Sequence, residues 1–186
     1  MTFAPETVSE LVQTIGSISV LTLQPLQIDH EQGFIEAVRQ SKSIHDRWIS
    51  APASSPAFRA QLKKCSTDRN KSFVAVDHTG AIVACININE IVRGLFRSAY
   101  LGYYVFAPFQ GLGLMRQAMI LAISHAFDSL QLHRLEANIQ PANERSIALV
   151  RSLGFRCEGY SPRYLYIDDD WRDHERYALT CEEWAP

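Results

Sequence analysis

The run Gln110-Gly111-Leu112-Gly113 passes directly into a helical apolar pattern that begins at Leu114-Met115. It is preceded by the strand-like Tyr104-Val105-Phe106 and by Pro108. A strand that delivers glycines to a helix N-terminus builds an anion site. First-turn N–H groups have no intrahelical acceptor, and the helix dipole adds partial positive charge there. Glycine allows the turn and lets a phosphate approach the backbone closely. The expected ligand group is therefore a pyrophosphate, held by the N–H groups of Gln110 through Met115. Two nucleotide readings fail. No Lys follows Gly113, as a Walker loop requires. A dinucleotide fingerprint needs a third glycine, an acid about 20 residues on and a parallel β-α-β start.

The flanking elements give the turn its context. Ser72–Val76, Ala81–Asn89 and Ser98–Phe106 read as three strands, the first two joined by the turn Asp77-His78-Thr79-Gly80. They form an antiparallel meander that ends in the glycine turn. A helix is expected from about Leu112 to Leu130, then a strand over 133–139. A further helix starts at Pro141 and Asn143, carries Ile147, Val150 and Leu153 on one face, and stops at Gly154. Phe155–Tyr160 and Trp171–Cys181 read as closing strands, with Asp168-Asp169-Asp170 as a polar hairpin turn after Tyr164–Ile167. Upstream, Ser19–Gln24 reads as a first strand. Asp29 is expected to cap a helix bearing Phe34, Ile35 and Val38, Ile44–Ile49 to form a helical turn or two, and Ser55 to cap a helix starting at Pro56. Residues 1–17 are read as an N-terminal extension in which 5–15 are a candidate short helix, and 18–186 as a single domain. The sum is an α+β fold, one mixed, mostly antiparallel sheet with helices on both faces.

Composition narrows the function. The chain has 186 residues, 47% hydrophobic and 20% charged, with a formal net charge of −2. That balance disfavours non-specific binding to nucleic acid or an anionic membrane. No run approaches the ~18 apolar residues of a membrane span, and no basic leader precedes an apolar segment at the N-terminus, so the chain reads as cytoplasmic. The four cysteines, Cys65, Cys85, Cys157 and Cys181, form no metal-ligand spacing. Cys85 and Cys157 are expected to be buried thiols, and no metal is expected.

Two motifs together carry a resemblance. Gln110-Gly111-Leu112-Gly113 resembles the acyl-CoA loop of the GNAT N-acetyltransferases, and Asn143-Glu144-Arg145-Ser146, leading to Leu153-Gly154-Phe155, resembles that family's second helix motif, in the family's order and spacing. Ile91-Val92-Arg93-Gly94, Tyr100-Leu101-Gly102-Tyr103, Leu114-Met115, His133-Arg134, Glu158-Gly159-Tyr160, Tyr164-Leu165-Tyr166-Ile167 and Trp171-Arg172-Asp173-His174 add similarity to the RimJ/RimL branch, the ribosomal-protein-alanine N-acetyltransferases, and within it to the RimJ type. The resemblance covers roughly residues 20–184 and implies the GNAT fold, with acetyl-CoA as cosubstrate.

It also implies site roles. Gln110, Gly111, Leu112, Gly113, Leu114 and Met115 would hold the CoA pyrophosphate. The strand Tyr104, Val105, Phe106 would offer edge hydrogen bonds to the pantetheine arm, with an oxyanion donor near Val105 or Phe106. Asn143 would bond the arm, cap its own helix, or do both. Ser146 would protonate the departing thiolate or orient the thioester sulfur, unless it is an ordinary helix serine. Tyr100 stands where RimL-type relatives carry a glutamate, and a phenol of pKa ~10 is a poor base. Glu90, Glu136 and His174 are the other base candidates, alone or through water. Trp48, Phe96, Tyr100, Tyr103, Tyr160, Tyr164 and Tyr166 are candidates for an acceptor groove, and Arg93 and Arg97 for an acidic group.

An α-amine has pKa ~7.7–8.0 against ~10.4 for lysine, so near pH 7.5 roughly a third of it is already neutral. A site without a strong base can therefore acetylate a protein N-terminus, such as that of a ribosomal protein, by direct attack on the thioester. A small-molecule or toxin amine as acceptor, or a CoA-binding ribosome-assembly factor with little catalysis, are the other readings. The expected oligomeric state is monomer or homodimer.

Overall fold

Three consecutive strands, β2 (Lys71–Val76), β3 (Ile82–Val92) and β4 (Ser98–Val105), form the expected meander. The computed structural model describes residues 21–45 and 48–186. The helix expected over 5–15, and Ser19 and Val20 of the first strand, lie outside the described residues. β1 (Thr22–Pro25) pairs with β2. Beyond β4 come β5 (Arg134–Ile139), β6 (Arg156–Ile167) and β7 (Asp170–Thr180). The seven strands are ordered β1-β2-β3-β4-β5-β7-β6, and only the β4–β5 pairing is parallel. The sheet is mixed and mostly antiparallel, as expected.

Helices cover both faces. α1 (Glu31–Gln40), the short α2 (Lys42–His45) and α3 (Ser55–Cys65) precede the meander. α4 (Leu114–Asp128) follows β4, and α5 (Glu144–Ser152) follows β5. Strand alternation sorts the meander's side chains between two cores. Ile86, Ile88, Ala99 and Leu101 pack with Ala118, Met119, Ala122 and Ile123 of α4. Cys85, Tyr104 and Phe106 pack with Phe34, Val38 and Phe58 of α1 and α3. Phe34 meets both Phe58 and Phe106 edge-on at centroid distances of 5.3 Å. Each such ring, fully withdrawn from water, contributes about 2–3 kcal/mol.

Local differences from the sequence reading have physical causes. Asp29 lies inside a single 3₁₀ turn, Ile28–His30, and His30 is the N-cap residue of α1. The turn is closed by reciprocal bonds between Gln27 and His30, so the chain reaches the helix without an aspartate cap. α3 starts one residue early, at Ser55, with Pro56 in its first turn. α4 starts at Leu114 because Gly113, at φ 75°, is left-handed and cannot join the helix. Phe155–Tyr160 and Tyr164–Ile167 merge into the one long strand β6, since Gly159, Ser161–Leu165 and the positive φ of Arg163 shift its register without ending it. Asp168 and Asp169 do form the β6–β7 hairpin turn, both at positive φ. Cys85 is buried but Cys157 is exposed, because β6 is the outer edge of the sheet.

Candidate active site

β4 and β5 pair over Ser98–Tyr100 and Arg134–Glu136 and then separate. The gap opens a cleft of about 1470 Å³. It runs from the glycine turn and α5 through the sheet to α2 and the β6–β7 hairpin, and Tyr103, Val105, Gly111, Asn138, Ser146 and His174 line it. The volume exceeds the ~300–1,000 Å³ of an ordinary small-ligand site.

The edge of β4 faces this gap in a fixed pattern. Phe106 N–H donates to Val83 O (2.9 Å), and the register continues with Tyr104 opposite Cys85. In an antiparallel ladder the alternate residues turn their polar groups the other way. Tyr103 and Val105 therefore direct their N–H and C=O groups away from β3 and towards the gap. This corrects the expected set. Phe106 has its N–H committed to β3 and its side chain fully buried, so it offers nothing to a ligand. Tyr104 lines the cleft, but its backbone polar groups face β3 opposite Cys85. The Val105 carbonyl is taken by His45, whose Nε2–H donates to it at 2.8 Å.

At the glycine turn, Gly111 and Gly113 adopt φ of 77° and 75°. Among the described residues, the N–H groups of Gly113, Leu114 and Met115 find no protein acceptor. Gln110, Gly111, Gly113, Met115 and Arg116 line the cleft. Leu112 points to solvent and Leu114 into the core, so these two would act through the backbone alone. Free first-turn N–H groups beside an arginine suit a diphosphate, and the open edge of β4 suits an amide-bearing arm.

Asn143 is the N-cap of α5. Its Oδ1 accepts from Ser146 N–H at 3.2 Å. The amide NH₂ is then the end left for a ligand in the cleft. The Ser146 hydroxyl lies 2.6 Å from the Tyr103 hydroxyl, a bond that ties α5 to β4 across the cleft wall. Burial pushes the Tyr103 phenol up to about 12, so it stays protonated. When Tyr103 donates to Ser146 Oγ, the serine proton is free to point at a ligand atom.

The base candidates separate clearly. Glu90 sits in a bulge at the end of β3, half exposed and paired with Arg69 at 2.7 Å; it is outside the cleft lining. Tyr100 also lies outside it. Burial, then Glu136 and Tyr164, raise its pKa further from the range of a base. Glu136 is held by Arg134 at 2.9 Å. His174 is the candidate that lines the cleft. Its Nδ1–H donates to Arg172 O (2.9 Å), which leaves Nε2 as the lone-pair nitrogen. The residue is 2% exposed, and that burial lowers its pKa, so the ring is neutral at pH 7.

Of the aromatics, Trp48 and Tyr103 line the cleft, whereas Phe96, Tyr160, Tyr164 and Tyr166 do not. Phe96 stands 73% exposed at the β3–β4 hairpin tip, where Arg93 bonds Leu130 O and Arg97 O accepts from His133 N–H. Neither arginine reaches the cleft. Sequence reasoning missed His45, Asn87 and Asn138, and gave Tyr103 no chemical role. One signal was present: Asn87 and Asn89 alternate with Ile86 and Ile88 in a strand covered on both faces, where polar residues need a reason.

Comparison with known proteins places this geometry. The family model described as Acetyltransferase (GNAT) domain matches residues 20–156. The [ribosomal protein uS5]-alanine N-acetyltransferase of Escherichia coli is 44% identical over 105 residues, 56% of this chain and 54% of that protein. The match thus spans about half of the curated relative's length. Spermidine N(1)-acetyltransferase of Vibrio cholerae is 24% identical over 163 residues, covering 87% and 93% of the two chains. Among solved structures, Mycobacterium smegmatis RimJ in complex with CoA-disulfide superposes with a TM-score of 0.77 at 30% identity, over 89% of this chain and 84% of that one.

Proposed function

The chain belongs to the GNAT N-acetyltransferase family, and from that premise we propose that it transfers acetyl from acetyl-CoA to the N-terminal α-amine of a protein, a ribosomal protein being the class that its relatives suggest. A cytoplasmic location is part of the proposal; no helix among the described residues is long and apolar enough to cross a membrane. The observation that carries the reading is the parting of β4 from β5. It joins free N–H groups at the glycine turn, an open strand edge and Ser146 within one cleft.

The thioester supplies an acetyl group with a thiolate as leaving group. Gly113, Leu114 and Met115 bind the diphosphate through backbone N–H groups, beside Arg116. The N–H groups of Tyr103 and Val105 hold the arm and stabilise the charge that grows on the acyl oxygen. The amine attacks directly. His174 Nε2 takes its proton, and Ser146, oriented by Tyr103, donates a proton to the thiolate.

A polyamine acceptor is the reading suggested by the spermidine acetyltransferases. A polycation needs carboxylates. Among the described residues lining the cleft, Glu144 is the one carboxylate, against Arg116 and Arg145.

Thermal stabilisation by acetyl-CoA should be measured first, then thiol release with N-terminal peptides, lysine peptides and spermidine. The expected order is α-amine peptides well above the others. Absence of any acetyl-CoA stabilisation would overturn the cosubstrate assignment. Preference for spermidine would overturn the acceptor assignment.

A further inference from the structure

The acceptor side of the cleft presents a hydrogen-bond donor and a hydrogen-bond acceptor on either side of a residue with no side chain. Asn87 of β3 pairs with Gly102 of β4, so the two share a face. Tyr100 pairs with Glu136 on that same face, and two residues further along each strand stand Gly102 and Asn138. His174 lies on it too, because Asn138 pairs with Arg176 and side chains repeat every second residue. Asn87, Gly102, Asn138 and His174 all line the cleft.

The Asn87 amide cannot turn. Its Oδ1 accepts from Gln61 Nε2 at 2.9 Å and from the Ser72 hydroxyl. Gln61 also bonds Ser72 Oγ at 2.9 Å, which closes the network. The NH₂ end is therefore a fixed donor, and it stands 3.9 Å from where a Cβ on Gly102 would be, with the Asn89 amide nitrogen beside it at 3.5 Å. On the other side, Asn138 Oδ1 is buried and receives no hydrogen bond. A buried amide oxygen without a donor is destabilising. A ligand that supplies an N–H there relieves this.

We propose that Asn87, Gly102 and Asn138 form a subsite for the first residue of the acceptor, reading its α-amine and its first carbonyl together. The inference rests on the acetyl-transfer reading above. The amine donates one N–H to Asn138 Oδ1 and its transferable proton to His174 Nε2. The carbonyl oxygen of the same residue accepts from Asn87 Nδ2. Gly102 is the floor that leaves room for the residue's Cα. An aliphatic amine has no acceptor to offer Asn87, so its binding leaves that half-buried donor unpaired. The subsite selects α-amino-acyl groups, and lysine ε-amines and polyamines fail the same test.

The experiment compares an alanyl dipeptide amide with isopropylamine, which carries a methyl group where the alanyl residue has its carbonyl, at equal concentrations of neutral amine. Wild-type kcat/KM should favour the dipeptide by about 100-fold. Asn87→Asp keeps the oxygen bonded to Gln61 and Ser72 but replaces the donor with an acceptor. It should depress dipeptide turnover at least about tenfold more than isopropylamine turnover. Asn138→Leu should raise KM for both amines, with acetyl-CoA stabilisation retained, and serves as the second variant should Asn87→Asp fail to fold. Equal wild-type kcat/KM for the two amines, or an equal loss for both in Asn87→Asp, would overturn the subsite while leaving acetyl transfer standing. An unchanged KM for both amines in Asn138→Leu would do the same. Wild-type protein that binds acetyl-CoA but acetylates neither amine nor any peptide would overturn the acetyl-transfer reading itself.

Discussion

At the glycine-turn end of the cleft the groups proposed to meet a ligand are the unpaired backbone N–H groups of Gly113, Leu114 and Met115, contiguous in the chain. At the acceptor end they are side-chain atoms of Asn87, Asn138 and His174, which come from β3, β5 and β7. The first end is built by local geometry: a left-handed glycine followed by a helix start. The second exists only where the sheet sets its strands in register: Gln61 and Ser72 hold the Asn87 amide, and the β5–β7 pairing sets Asn138 and His174 on one face. A ligand that varies little can be held by backbone, whose chemistry is the same in every residue. A ligand that must be discriminated needs side chains, whose donors and acceptors differ.

That contrast breaks if substitutions at one end disturb binding at the other. The largest effect is expected at His174. His174→Gln should lower kcat/KM for an N-terminal peptide by ~100-fold while acetyl-CoA stabilisation persists. The imidazole accepts a proton only when neutral, and burial holds its pKa below the ordinary 6.5. Wild-type activity should therefore survive at pH 7 and fall as pH drops through that lowered value. The variant's profile should lack this acid limb and follow the amine alone. A retained limb in the variant would move the proton acceptor elsewhere.

An intermediate effect is expected at Gly113. Its φ of 75° suits glycine, and a β-branched residue there costs about 1–2 kcal/mol. Gly113→Val should weaken acetyl-CoA binding by roughly tenfold, measured by calorimetry, with KM for the peptide little changed. A selective rise in peptide KM would contradict the division between the two ends.

The smallest effect sharpens the link between the ends. Tyr103→Phe removes the hydroxyl that bonds Ser146 at 2.6 Å. A positioning role predicts a loss of about threefold to tenfold in kcat, no change in acetyl-CoA affinity, and little further loss when Tyr103→Phe is combined with Ser146→Ala. Full additivity of the two losses would show that the pair does not act as a unit.

How far the site was legible follows the same division. Gln110-Gly111-Leu112-Gly113 could be read because the turn, the left-handed residues and the helix start are consecutive. Asn143 and Ser146 could be read because a cap and its partner lie three residues apart. Glu90 misled because a carboxylate at a strand end looks alike whether it faces a cleft or, as here, Arg69. Phe106 misled because strand periodicity tells which way side chains point but not which backbone groups a neighbouring strand has already used. Ser72, Gln61 and Asn87 carry no motif, and their network appears only when β2, α3 and β3 meet.

The sequence by itself determined the order of elements, the left-handed glycine turn and the capped helix, since each rests on contacts between near neighbours and on the φ that glycine permits. Only the tertiary structure decided that β4 and β5 part after three paired residues, which edge groups remain free, and that His174 lines the cleft with Nε2 unprotonated. Those outcomes depend on register between strands far apart in the chain, such as Tyr104 with Cys85 and Asn138 with Arg176, and on which hydrogen bonds the rest of the fold has already used.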